Sequence, residues 1–119
     1  MSSHSVTHTI KCPSPDATLP PTFTVCGIVN SPCMGNSGYI LIAFIDQDGS
    51  TSYTNNIQPD ITGNWCGQIS VPTGATGGDL LVYYSQSAFT IPPTAFPGAV
   101  VPDLVIVAGV ADPCSKITK

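Results

Sequence analysis

Hydrophobic and polar residues alternate with a period of two along two stretches of this chain. In residues 22–30 one set of alternate positions is apolar or small: Phe23, Val25, Gly27 and Val29. Residues 64–71 repeat the pattern: Trp65, Gly67, Ile69 and Val71. Successive side chains of a strand point to opposite faces, so we predict two strands with one buried face each.

Other stretches extend this strand pattern along the chain. "YILIAFI" (39–45) is apolar throughout, which is typical of a central strand that is covered on both faces. Two more strong strands are predicted at 80–87 and 103–110, and weaker ones at 6–10 and 50–57. Turn-forming residues separate these pieces at the spacing of a two-sheet sandwich of about seven strands.

The composition also favours an all-β class. The seven acidic residues are all aspartate and the three basic ones are all lysine, so residues that cover exposed helix faces are scarce. The chain has 12 prolines and 11 glycines, which interrupt every stretch with helical periodicity. With 119 residues, 42% of them hydrophobic, we predict a single domain over 1–119, with an N-terminal arm at about 1–20 and a C-terminal tail at about 111–119.

The charges argue against several partners. Three lysines and no arginine do not provide the basic patch that nucleic acids or anionic membranes require. The first ten residues have neither the basic start nor the apolar run of a signal peptide. We expect either synthesis in the cytoplasm without export or a mature secreted domain without its leader.

Trp65-Cys66-Gly67 is similar to the beginning of a thioredoxin-type redox site. Such a site needs a second cysteine three residues after the first, and Ile69 occupies that position. It also needs a helix that begins there, whereas these residues alternate as in a strand. We therefore predict a structural role for Cys66.

Three stretches together resemble a known family: "FTVCGIV" (23–29), "GNWCGQISVP" (63–72) and "DLLVYYS" (79–85). They are similar to the immunoglobulin-like domains of bacterial surface proteins and phage virion proteins. The resemblance implies a two-sheet Greek-key sandwich in which Trp65 points into the core and Cys66 points outward. Ser85 stands where antibody-type domains have their second cysteine, so the antibody-type core is not expected.

None of the five cysteines has the spacing of a zinc site, because that would need two close pairs. In the implied topology the second and fifth strands are neighbours, which makes a Cys26–Cys66 bridge feasible. A bridge between Cys12 and Cys114 would tie the first strand to the last, and Cys33 is left over on a loop. The alternative is that all five are reduced thiols that act as small apolar groups.

Residues 87–103 form an unusually long Pro-rich segment, and long loops in compact domains tend to be functional. We predict that its apolar side chains bind a protein partner: Phe89, Ile91, Phe96, Val100 and Val101. The alternative is a strand extension whose apolar residues complete the core. A glycan platform would have to use aromatic residues: Tyr53, Phe89 and Phe96.

The acidic residues do not form a catalytic pattern. Asp46 and Asp48 in "DQDG" are similar to the start of a calcium loop, but an Asp-Gly pair between strands is also an ordinary hairpin turn, which we favour. A calcium site formed with Asp60 is the alternative. A cysteine nucleophile needs a positioned base, and the two histidines, His4 and His8, lie in a segment that we predict to be an edge strand or arm. We expect no catalytic residue, no metal and no cofactor.

These patterns favour a structural or protein-binding module. The first hypothesis is a virion structural protein, such as a capsid decoration or fibre protein at the virion surface. Its partners would be capsid or other virion subunits, and homo-oligomers are compatible with this role. The second is an immunoglobulin-like domain of a secreted bacterial adhesin at the cell surface, with glycan binding as a further option.

Overall fold

The computed structural model describes residues 7–30, 38–94 and 96–117, and within these ranges the chain forms strands and no helix. Proline, glycine and short polar turns interrupt the apolar stretches, so each strand is short. The strands are β1 (Thr7–Cys12), β2 (Thr18–Leu19), β3 (Thr22–Asn30), β4 (Tyr39–Asp46), β5 (Thr51–Tyr53), β6 (Asn64–Ser70), β7 (Gly77–Ser85) and β8 (Ala99–Ile106). Two of them, β1 and β2, lie in the predicted N-terminal arm.

The strands form two sheets that pack face to face. The three-stranded sheet has the order β1-β3-β6, and the five-stranded sheet has the order β2-β8-β7-β4-β5. Neighbours are antiparallel, except that β2 runs parallel to β8. The all-β sandwich that the alternation pattern predicts is therefore confirmed.

The core between the sheets is formed by the alternate apolar residues of each strand. On β3, Phe23, Val25 and Val29 are fully buried, as the period-two pattern predicts. On β4, Ile40, Ile42 and Phe44 enter the same core, whereas Leu41 and Ala43 are buried on the opposite side of the sheet. The apolar run over 39–45 is thus a central strand covered on both faces, as its composition indicates.

The largest side chain of this core lies over a glycine. Trp65 on β6 pairs in register with Gly27 on β3, and its indole is fully buried. A Cβ atom at position 27 would lie 2.7 Å from the indole Cζ2 and 2.7 Å from the carbonyl oxygen of Thr9. Nε1 is buried without an acceptor among the described residues. Apolar packing, rather than a hydrogen bond, therefore holds the ring.

The last strand begins earlier than its sequence pattern predicts. We expected a strand at 103–110, but β8 spans Ala99–Ile106 and includes Pro102. The reason is an irregularity in the β7–β8 pairing, where the register shifts between Gly78 and Leu80 and Asp103 has a φ of 60°. An aspartate tolerates this left-handed conformation, and a bulge accommodates a proline that a regular ladder would exclude.

His8 on β1 lies at one edge of the sandwich, half-buried. Its ring approaches Tyr84 edge-on with centroids 6.3 Å apart, and its Nδ1 is buried without a described hydrogen-bond partner. Gly98 leaves space for the imidazole, because a Cβ atom there would contact the ring. Burial removes the imidazole from water, which disfavours its charged form and lowers the pKa of His8.

We predict that replacing Gly27 with alanine destabilises the protein by about 2 kcal/mol, since the new methyl group overpacks the space occupied by the indole. Urea unfolding followed by far-UV circular dichroism measures the change, since this signal is also present when Trp65, the single tryptophan, is replaced. In a Trp65→Phe background the same substitution should cost less, because the Cζ2 atom is then absent. An equal cost in both backgrounds would show that Gly27 does not accommodate the indole.

We also predict that stability decreases between about pH 7 and pH 5 through His8. Because its folded pKa lies below 6.5, the unfolded chain takes up the proton first, so this contribution is present above pH 6.5 and is lost as the pH falls. Urea midpoints at pH 7.5 and 5.5 should differ more for the native protein than for His8→Gln. Identical pH dependence in the two proteins would contradict the assignment.

Candidate functional site

The five predicted partner-binding residues do not all reach the surface. Val101 is only 3% exposed and pairs with Leu80 on the core side of the sheet. The prediction that Val101 binds a partner is therefore wrong, because its side chain belongs to the core. Ile91, Phe96 and Val100 are 58%, 95% and 49% exposed. The segment 87–103 is therefore part loop and part strand, since its last five residues belong to β8.

Phe89 anchors the loop that carries Ile91 and Phe96. Its ring meets Tyr83 edge-on at a centroid distance of 6.1 Å. Its backbone N–H donates to Oδ1 of Asn56 at 2.8 Å, and Nδ2 of Asn56 donates to its carbonyl oxygen at 3.4 Å. The loop is thus attached to the sheet at Phe89, which leaves Ile91 and Phe96 open to solvent.

Beside this loop lies the outer face of the five-stranded sheet, which we call the apolar face. Leu41, Ala43 and Tyr83 are its buried centre, and Tyr53 and Leu81 pack against them half-buried. Val100 pairs with Leu81 across β7 and β8 and extends the face toward solvent. Its residues are Leu41, Ala43, Tyr53, Leu81, Tyr83 and Val100. Nearly half of the Val100 side chain is exposed, so the face presents apolar surface to water.

The outer face of the three-stranded sheet has the opposite character. Thr22 and Ser70 share a hydrogen bond of 2.8 Å between their hydroxyl groups. Lys11 Nζ donates to Oδ1 of Asn64 at 2.6 Å. These polar side chains satisfy one another and remain hydrated. The two outer faces of the sandwich therefore differ, and the apolar face is the better surface for a partner.

A groove of about 490 Å³ lies at one end of the apolar face. Ile45 and Val105 line its walls together with the carboxylates of Asp79 and Asp103. The backbone N–H of Asp103 donates to Oδ1 of Asp79 at 3.1 Å, which holds the two residues side by side. Gly78 also forms part of the lining. A side chain at this position would clash with the carbonyl oxygen of Ile45.

Both predicted cysteine pairs are present as disulfides. Cys26 and Cys66 are register partners on β3 and β6 with Cα atoms 4.1 Å apart, and Trp65 next to Cys66 points into the core. Cys12 and Cys114 are joined with Cα atoms 5.8 Å apart. Cys114 lies beyond β8, so this bridge ties β1 to the C-terminal segment rather than to the last strand. Cys33 lies outside the described residues.

The C-terminal segment, residues 107–117, crosses onto the three-stranded sheet. A carboxylate oxygen of Asp112 accepts a 2.9 Å hydrogen bond from the backbone N–H of Thr24. The carbonyl oxygen of Ile117 lies 3.8 Å from the sulfur atoms of both Cys26 and Cys66. Cys26 is consequently only 1% exposed, although it faces away from the core. The predicted tail thus covers the cross-strand disulfide.

Two of the described aspartates, Asp46 and Asp60, accept backbone hydrogen bonds within turns. Oδ1 of Asp46 accepts from the backbone N–H groups of Asp48 and Ser50 at 2.8 and 2.9 Å, which confirms the hairpin interpretation. Oδ1 of Asp60 accepts from the backbone N–H groups of Thr62 and Asn64. Within the described part of the chain, no three His, Cys, Asp or Glu residues are grouped to hold a metal ion. Asp46, Asp48 and Asp60, the residues of the alternative calcium site, do not form such a group. His4 lies outside the described residues.

Comparisons with known proteins do not assign this chain to a family. No family model matches the sequence, and no curated protein matches it either. In the ranges that the structure describes, no helix is long and apolar enough to span a membrane.

We predict that the double variant Cys12→Ser/Cys114→Ser loses up to about 4–5 kcal/mol of unfolding free energy, because this bridge spans 102 residues of chain. The C-terminal segment should also loosen, so hydrogen exchange at the amide of Thr24 should accelerate. Urea unfolding and hydrogen-exchange mass spectrometry measure the two effects. Unchanged protection at Thr24 would show that the disulfide does not hold the segment in place.

Proposed function

We propose that this chain is a non-catalytic protein-binding module of a larger assembly, and that it binds through the apolar face and the adjoining loop. The observation that carries the proposal is Phe96, whose side chain is 95% exposed on a loop that Phe89 and Asn56 attach to the sheet. A large apolar side chain held in solvent on an anchored loop is available to a partner at little further cost in chain entropy.

The asymmetry of the two outer faces supports the same proposal. The face of the three-stranded sheet carries paired polar side chains, a disulfide and the C-terminal segment. On the apolar face the side chains of Tyr53, Leu81 and Phe89 already pack over the buried centre, and Val100 with part of Tyr53 remains at the surface. Binding of a partner there would remove apolar surface from water without separating polar pairs.

We propose an immunoglobulin-like identity for the sandwich and a virion structural role, as in a capsid decoration or fibre protein, located at the virion surface. The strand order supports the first part: β3 neighbours β6 in one sheet, and β4, β7 and β8 are adjacent in the other. A surface with few charges and an exposed apolar loop suits close packing against capsid or other virion subunits.

A domain of a secreted surface adhesin is the second candidate, and the two disulfides favour it. Structural disulfides form and persist in oxidising surroundings such as the cell exterior. In this role the same apolar face and loop would bind a protein or glycan at the cell surface. The identity of the bound partner distinguishes the two candidates.

Site-specific photo-crosslinking in the source cells and particles tests the proposal. A benzophenone amino acid placed at position 91 or 96 should capture a protein partner, whereas the same amino acid at exposed control positions 22 and 68 should not. Capture of a capsid subunit supports the virion role, and capture of a protein at the cell surface supports the adhesin role. Equal capture from positions 22 and 68 would contradict the proposed surface.

A further inference from the structure

The charges of this protein are segregated along the chain. Between Lys11 and Lys116 the sequence contains no lysine, arginine or histidine, whereas all seven aspartates lie in this interval. Lys11 is on β1 and Lys116 is in the C-terminal segment, and both elements belong to the side of the three-stranded sheet. The five-stranded sheet and the loop 86–98 therefore contain no basic side chain.

Two of these aspartates flank the apolar face. Asp79 pairs in register with Ile45 on the outer side of the sheet, and Asp103 is bonded to Asp79 through its backbone. Both residues are exposed, and the groove between them and the side chains of Ile45 and Val105 joins the apolar face. The groove thus combines an apolar wall with two exposed carboxylates. Asp46 also lines it, but Oδ1 of Asp46 accepts hydrogen bonds from the backbone of the adjacent turn. Such a surface suits a lysine or arginine, whose aliphatic stem packs on apolar atoms while its head meets the carboxylates.

A second copy of this chain does not fit this surface. Two apolar faces packed against each other would bring four carboxylates into one interface, and neither face contributes a basic residue to balance them. The side of the three-stranded sheet in a second copy carries Lys11 and Lys116, but its outer face is polar and does not match the apolar part of this surface. Charge complementarity therefore requires a different protein.

We propose that the apolar face binds a protein segment in which lysine or arginine side chains alternate with apolar ones, and that one basic side chain enters the groove beside Asp79 and Asp103. This inference rests on the proposed binding function and adds the chemistry of the partner. The apolar residues of the segment cover Leu81, Tyr53 and Val100, and the basic residue fixes the register of the complex.

Two synthetic peptides of 12 residues test the inference, one of alternating leucine and lysine and the other of alternating leucine and glutamate. Fluorescence anisotropy measures their binding to the full chain. The lysine peptide should bind at least about tenfold more tightly than the glutamate peptide, and Asp79→Asn/Asp103→Asn should weaken it about tenfold. Asparagine keeps the acceptor at position 79 and tolerates the left-handed backbone at position 103.

Asp60→Asn is the charge-matched control for each single variant, Asp79→Asn and Asp103→Asn, since it removes one negative charge near Asn64 on the other sheet and keeps its acceptor oxygen. It should change the affinity less than about twofold. An equal loss in this variant would overturn the inference, because the peptide would then sense only net charge. Thermal unfolding of each variant verifies that the fold is retained.

Other outcomes separate this inference from the proposed function. Equal binding of both peptides, weakened by Val100→Ser, would overturn the basic partner while supporting the apolar face as a binding surface. Binding of neither peptide would overturn the inference and also count against the apolar face. A dimer in sedimentation velocity that Val100→Ser dissociates would overturn it in favour of a second copy.

Discussion

The contact between the indole of Trp65 and the backbone of Gly27 is the constraint on which this sandwich depends. A ring of that size fits between the sheets only where the facing residue has no side chain, because protein cores are packed at close to crystal density. The contact sets the register of β3 and β6. That register places Cys26 directly opposite Cys66 on the other face, where the disulfide joins the same two strands.

The same alternation gives the two outer faces their different roles. On the three-stranded sheet the outward positions are polar or cross-linked except for Ile28, and the C-terminal segment covers the disulfide. On the five-stranded sheet the outward residues in the middle of β4 and β7 are apolar, so that sheet has hydrophobic side chains on both sides. One side fills the core and the other forms the surface that we propose for a partner.

The Pro-rich segment 87–103 is attached to the five-stranded sheet at both of its ends. Its first part is attached through Phe89 to Tyr83 and Asn56, and its last part becomes β8, with Val101 in the core. Only the middle of the segment and Val100 are available outside. Anchoring both ends limits the freedom of the exposed residues, so binding would cost less conformational entropy than binding by a free loop.

The sequence by itself determined the all-β class, the buried faces of β3 and β6, and the inward direction of Trp65, because period-two alternation is a local property of the chain. It also identified the cysteine pairs as candidates. The tertiary structure alone decided which apolar residues of 87–103 remain outside. Val100 and Val101 are the same residue type, and the pairing of β8 with β7 places Val101 opposite Leu80 in the core and Val100 opposite Leu81 on the outer face. The groove at Asp79 and Asp103 likewise depends on that pairing. It joins side chains that are 24 residues apart, and no local pattern records such a distance.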